Sequence, residues 1–127
     1  GARLFEFASP NGDALWLSPS EDGKLVFGIR HGAKTERLTA PGIAPGLWTS
    51  VRVCLDGASA ALYVNGRKAA ESNAATLSPD CVRATRCYLG RGAAGAHFCG
   101  LIDRFTVYSR AVPPDATQSA PSGKTQW

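Results

Sequence analysis

The stretch LWTSVRVCLDGASAALYVNGRKAAE, residues 47–71, constrains this chain more than any other. Three short runs alternate apolar and polar residues around two dipeptides, Asp56-Gly57 and Asn65-Gly66, that tolerate positive φ at the centre of a tight turn. The pattern predicts an antiparallel β-meander. In the first run Val51, Val53 and Leu55 share one phase and Arg52, Cys54 and Asp56 the other, so one face is expected to be buried and one wet.

The same reading along the chain predicts strands over residues 3–8, 14–18, 24–30, 35–39, 47–55, 59–64, 67–71, 87–91 and 97–109. Between them stand the turn signals Ser9-Pro10-Asn11-Gly12, Glu21-Asp22-Gly23, His31-Gly32 and Pro45-Gly46. No segment of ten or more residues carries a 3.6-residue apolar stripe. An all-β fold follows, and 127 residues are enough for one hydrophobic core rather than two. Residues 1–112 form the expected domain. Residues 113–127, PPDATQSAPSGKTQW, read as a linker or tail in which Pro113-Pro114 stops the last strand.

No run approaches the roughly 18 apolar residues that a membrane span needs, so membrane insertion is not expected. No basic-then-apolar leader opens the chain, and any secretion signal is expected to have been removed or to lie outside this sequence. The net charge of +4 is dispersed except at Arg83, Arg86 and Arg91, which suit either a sulfated or uronic-acid glycan or a solvated loop. No DNA- or RNA-binding motif accompanies the charge, which argues against a nucleic-acid partner. Four cysteines without a Cys-x-x-Cys pair or a Cys/His cluster favour an oxidising, extracellular compartment over zinc. Of the three possible pairings, Cys81 with Cys87 and Cys54 with Cys99 is the expected one. The first would close a short loop and the second join two strands; free, buried thiols at Cys54 and Cys99 are the alternative.

Taken in order, W-x-x-V-x-V-x-L-D-G at Trp48 to Gly57, L-Y-V-N-G at Leu62 to Gly66, Y-L-G-R-G at Tyr88 to Gly92 and G-L-I-D-R-F-x-V-Y-S-R-A at Gly100 to Ala111 resemble the laminin-G-like jelly-roll domains. The resemblance implies an antiparallel β-sandwich of the concanavalin A-like lectin and glucanase type. Complete domains of that type begin with further strands ahead of the position of Arg3, so the fold is expected to lack its N-terminal strands. An open strand edge would then invite a neighbouring domain or a second copy.

Glucanases of the superfamily carry acidic residues at alternate positions of one strand, and glycosidases need two carboxyl groups at a set separation. The ten acids here are scattered among turns, and neither His31 nor His97 sits in a nucleophile motif, so a non-enzymatic module is expected. Asp103 shares a period-two phase with Leu101, Phe105 and Val107, which predicts a partly buried carboxylate in need of a partner. The resemblance makes it the candidate ligand of a structural calcium ion completed by backbone carbonyls. A salt bridge to Arg104 or Arg110, or a β-bulge turning the side chain outward, stands beside that reading.

For a sugar, the candidates are Asn11, Asp13 and Trp16, with Arg91 and His97 near the last hairpin, and Glu21 and Asp22 in the next turn. An aromatic ring covers the apolar face of a pyranose while Asp, Asn and Arg engage its hydroxyls. Trp16 equally suits packing beneath a loop, and Trp48 and Tyr63 suit core or sheet-surface positions. The expected function is a carbohydrate-binding or adhesion module of a larger extracellular protein, its partner a polysaccharide. The alternative is a structural domain packed on a catalytic neighbour.

Overall fold

A computed structural model describes residues 2–93, 95 and 97–108; the expected tail and the end of the expected last strand lie outside the described residues. Eight strands run antiparallel: β1 (Phe5–Ala8), β2 (Ala14–Glu21), β3 (Lys24–His31), β4 (Lys34–Pro41), β5 (Val51–Asp56), β6 (Ser59–Val64), β7 (Arg67–Ser72) and β8 (Arg86–Leu89), with a 3₁₀ turn at Pro79–Cys81. A five-stranded sheet has the order β4-β3-β2-β1-β8, and a three-stranded sheet the order β5-β6-β7. No described segment is a helix long and apolar enough to cross a membrane.

The turn residues account for the meanders. Asp22-Gly23 and Asn65-Gly66 each place two consecutive residues at positive φ (53° and 78°; 51° and 82°), the requirement of a type I′ hairpin. The β5–β6 turn departs from expectation by one residue. Asp56 pairs with Ser59, so the centre is Gly57-Ala58 and only Gly57 takes positive φ, 60°. That is the arrangement in which a glycine leads the turn, and it leaves Asp56 as the last paired residue of β5. Strand β2 runs three residues past its expected end, because an irregularity between Ser18 and Glu21 accommodates Pro19, whose missing N–H would break a regular ladder.

Between the sheets lie Phe5, Leu15, Leu17, Leu25, Phe27, Ile29, Leu38 and Ala40 from the larger one, and Val51, Ala60 and Leu62 from the smaller. The phase read for β5 is correct for Val51, Val53 and Leu55, which all join this core, but Arg52 on the other phase is only 9% exposed. Residues 47–50, expected to begin that strand, are not part of it, and Trp48 is 56% exposed rather than core.

The largest correction concerns the expected strand over 97–109. Among the described residues it pairs only with the two residues that follow β8, through an Arg91–His97 bridge and the Phe98 N–H donating to the Gly90 carbonyl at 2.7 Å. The chain then bends at Gly100, over which the Phe98 ring folds so closely that a Cβ there would lie 2.6 Å from Phe98 Cζ. From there the apolar anchors are Phe98, Ile102 and Phe105, so of the period-two set only Phe105 packs on the core, while Leu101 is 78% and Val107 57% exposed. Phe105 packs 5.4 Å from the Phe5 ring and 6.3 Å from that of Phe7. Where no ladder among the described residues holds the backbone extended, alternation does not fix which side chains face the core.

Glu36 of β4 fastens the segment that follows β7. Its carboxylate accepts from the backbone N–H of Thr76 at 3.0 Å and of Leu77 at 2.7 Å, and from the Thr76 hydroxyl at 2.8 Å. The Leu77 N–H, followed by the Thr76 donors, holds the Glu36 carboxyl below its ordinary value of 4.5. A carboxyl depressed in the folded state stabilises the fold fully above its unfolded pKa, and that contribution disappears as pH falls through the folded value. Glu36→Gln should therefore lower stability by roughly 1 kcal/mol at pH 7 and shrink the loss seen on acidification below pH 4.5. Thermal melts of both proteins across that range check it.

Candidate functional site

The outward face of the five-stranded sheet carries a row set by strand register. Arg37 pairs with Gly28, Gly28 with Trp16, Trp16 with Glu6, and Glu6 with Tyr88, so five neighbouring strands present these side chains side by side. Leu15 and Leu17 point inward to the core and Trp16 outward, as period two requires. Trp16 is nevertheless 1% exposed. Its indole lies across Gly28, where a Cβ would stand 2.4 Å from Trp16 Cζ2, and arginines lie over the ring.

Three guanidiniums converge on that ring. Arg3 Cζ is 4.4 Å from its centroid, Arg30 Cζ 5.6 Å and Arg37 Cζ 5.7 Å, all within cation–π range. Two carboxylates serve them. Glu6 lies 3.4 Å from Arg3 Nε, and Glu21 lies 3.8 Å from Arg3 Nη1 and 3.2 Å from Arg37 Nε. Arg30 instead donates through Nε to the Gly12 carbonyl at 2.9 Å. Burial pushes the Arg3 guanidinium below its ordinary value; the opposing pull of Glu6 and Glu21 is the smaller effect, and repulsion from Arg30 and Arg37 adds to the burial. Among the described residues two buried donors, Trp16 Nε1 and Arg3 Nη1, have no hydrogen-bond acceptor, though Arg3 Nη1 faces Glu21 at 3.8 Å. They belong to side chains stacked on one another.

The walls are backbone. On the β8 side Gly92 comes so close that a Cβ would lie 2.7 Å from Arg3 Cγ and 3.1 Å from Glu6 Oε1, and the Ala93 N–H donates to Glu6 Oε2 at 3.0 Å. At the other end the β1–β2 loop is built by Asn11 and Asp13. Asn11 Oδ1 accepts from the Ser9 hydroxyl and from the Asp13 N–H at 3.1 Å. Asp13 Oδ1 accepts from the Gly32 N–H at 2.9 Å, and Oδ2 is 2.8 Å from His31 Nδ1. The Gly32 N–H, and after it His31, hold the Asp13 carboxyl below its ordinary value of 3.8. Asp13 is 5% exposed and ties two hairpin ends together, so its carboxylate is a strut of the loop.

Of the residues singled out from sequence, Asn11, Asp13 and Trp16 thus meet at one end of the outward face. Arg91 and His97 lie beyond β1, bridged to each other, with Arg91 Cζ 4.8 Å over the Tyr88 ring. Asp103 is exposed rather than partly buried, and among the described residues no three His, Cys, Asp or Glu side chains gather where they could hold a metal ion. Cys54, Cys81, Cys87 and Cys99 are all free thiols in this structure, so neither expected pairing is made here; Cys87 and Cys99 are exposed and the other two half-buried. The sequence reading missed Arg3, Arg30, Arg37, Glu6 and Gly28. A signal was there in KLVFGIR: a glycine inside an otherwise apolar strand marks a close approach by another group.

The family model of the laminin-G-like domains of the concanavalin A-like lectin/glucanase superfamily matches residues 2–116. The chain belongs to that family. This laminin-G-like domain has no detectable sequence similarity to a curated protein. Among solved structures it is similar to a crystal structure of residues 221–444 of an S-layer domain-containing protein from Clostridium thermocellum, at 23% identity and a TM-score of 0.53. The match covers 92% of the laminin-G-like chain and 61% of that structure, and at such identity it speaks to fold alone.

Proposed function

We propose that this chain is a non-catalytic module that binds carbohydrate, or adheres through it, as part of an extracellular protein. The observation that carries the reading is the outward face of the five-stranded sheet, where Trp16, Glu6, Tyr88 and Arg37 stand in one row. Trp16 and Glu6 are buried and form the base of that row, while the half-buried Tyr88 ring and the exposed Arg30 and Arg37 give a rigid sheet the aromatic surface and hydrogen-bonding groups that suit an extended sugar chain. A binding rather than hydrolytic role fits the acids, because Glu6 and Glu21 are engaged by arginines and backbone instead of facing each other across a groove. Membership of a lectin-type superfamily supports the same reading, and the S-layer domain in the neighbour's name agrees with a place at the cell surface.

A second reading has its own support. Leu47, Trp48, Leu89, Leu101 and Val107 are each more than half exposed, which suits a surface packed against another domain. A glycan-array screen of the purified chain, with calcium in one arm and chelator in the other, separates the two. Saturable binding to a defined glycan is the expected result, and its loss in chelator would bring Asp103 and calcium into the site. A folded, monodisperse sample that binds nothing in either arm overturns the carbohydrate reading and leaves domain packing.

A further inference from the structure

The two sheets do not fill the space between them. Beside β4 and the segment that follows β7 a cavity of about 230 Å³ remains, whereas a close-packed interior leaves few voids larger than a water molecule. Its cause is a mismatch of side-chain size. The larger sheet contributes Phe27, Ile29 and Leu38, while the facing wall is built by Ala60 of β6 and by Ala75 and Leu77 of the segment after β7. Alanine side chains are too short to meet that wall across sheets that stack about 10 Å apart. Water is a poor filler for the space. By liquid volume it would take roughly eight molecules, each in need of two to four polar partners. The polar side chains that border it are already engaged: Glu36 accepts from the Thr76 and Leu77 N–H groups, Arg37 pairs with Glu21, and Ser72 accepts from the Ala74 N–H at 3.2 Å.

The Glu36 carboxylate that borders the cavity also fastens its cover. Residues 73–77 are held by that carboxylate, by the Ala75 N–H donating to the Ala58 carbonyl at 3.0 Å, and by the Lys34 ammonium donating to the Thr76 hydroxyl. Only Ala75 and Leu77 of this strap pack on the core. A segment fastened mainly by hydrogen bonds at the surface opens more readily than a strand in a ladder.

We propose that this cavity is a binding site for a small apolar ligand of single-ring size, an aromatic ring with a short alkyl substituent, admitted by opening of the strap over residues 73–77. An apolar cavity of about 150 Å³ lined by Leu, Ile and Phe takes up benzene, and this one leaves room for a few carbons more. Phe27 offers a ring for offset or edge stacking. The site lies inside the sandwich and is independent of the carbohydrate reading, which concerns the outward face.

The test is a calorimetric titration and thermal melt of the whole chain with benzene, ethylbenzene and 1,3,5-triisopropylbenzene, the last too bulky to enter. Ethylbenzene should bind saturably, at least about tenfold more tightly than the trisubstituted ring. At about ten times its Kd it should raise Tm by several degrees. Ala75→Leu and Ala60→Val, which fill the cavity from two sides, should each weaken ethylbenzene binding at least about tenfold in proteins that still melt cooperatively. Ala75 lies on the strap, so its substitution leaves both sheets as they are. Glu36→Gln loosens the strap and should speed arrival and departure of ethylbenzene alike, with little change in Kd, as read by NMR exchange. Exchange rates untouched by Glu36→Gln overturn the strap as the entrance. No saturable binding of benzene or ethylbenzene overturns the site. Binding that survives the Ala75→Leu filling unchanged places the ligand elsewhere and overturns it as well.

Discussion

Leu17→Ala should remove about 2–5 kcal/mol of stability, the range for emptying a fully buried leucine site. Leu17 is 0% exposed and sits in β2, the middle strand of the five. It pairs with Phe5 on one side and Phe27 on the other, two residues that are themselves buried. Neighbours anchored in two paired strands cannot collapse into the gap, so the cost should fall in the upper part of the range. A domain of this size has only about 5–15 kcal/mol in hand, and each kcal/mol lost moves the melting temperature by a few degrees. The substitution should lower Tm by about 10 °C or more by differential scanning calorimetry. A fall of only one or two degrees would mean that β2 is not the centre of the core.

Gly28→Ala should cost about 1–3 kcal/mol for a different reason, overpacking rather than a void. The added methyl would lie 2.4, 2.7 and 2.8 Å from three atoms of the Trp16 ring, distances that no Cβ contact sustains. Gly28 has no unusual φ, so the effect is steric and not a backbone penalty. An indole held flat by a sheet below and three guanidiniums above can yield only by lifting, which would push Arg3, Arg30 and Arg37 outward. The expected result combines a lower unfolding free energy in urea with a red shift of tryptophan emission in the still-folded protein. Unchanged stability and emission would show that the ring does not rest on Gly28. Gly28→Ala thus reads the floor on which the Trp16 ring rests.

Much of the fold was legible because hairpins are local. Asp22-Gly23 and Asn65-Gly66 specify their turns whatever lies elsewhere, and the alternation in residues 59–64 is matched to the residue by β6. The reading failed where geometry depends on distant partners. Residues 97–108 alternate like a strand, yet alternation predicts a face only when a ladder holds the backbone extended, and past His97 none does. Asp56-Gly57 looked like the centre of a turn, but pairing with Ser59 decided which two residues cross. The cluster around Trp16 was half legible. Trp16, Asn11 and Asp13 stood out as residue types, whereas Arg3, Arg30 and Arg37 come from three separated places in the chain and meet only through the order β4-β3-β2-β1. No window of sequence contains that order.

The route by which the chain joins its strands bears on which part lets go first. Strands β1 to β4 form one run of nearest-neighbour hairpins and β5 to β7 another, so both arrays can assemble over short loops. Only β8 returns across the chain, bringing Leu89 back to Phe5 after more than eighty residues. Closing a loop of that length has the largest chain-entropy cost of any strand pairing among the described residues, and β8 contributes just four residues to offset it. The β8 edge is therefore the natural place for sub-global opening, in which one strand and the Gly92–Ala93 turn peel away while the two hairpin arrays persist. That edge also lays the Gly92–Ala93 backbone against Arg3 and Glu6, so transient fraying would uncover those two side chains without unfolding the core beneath them.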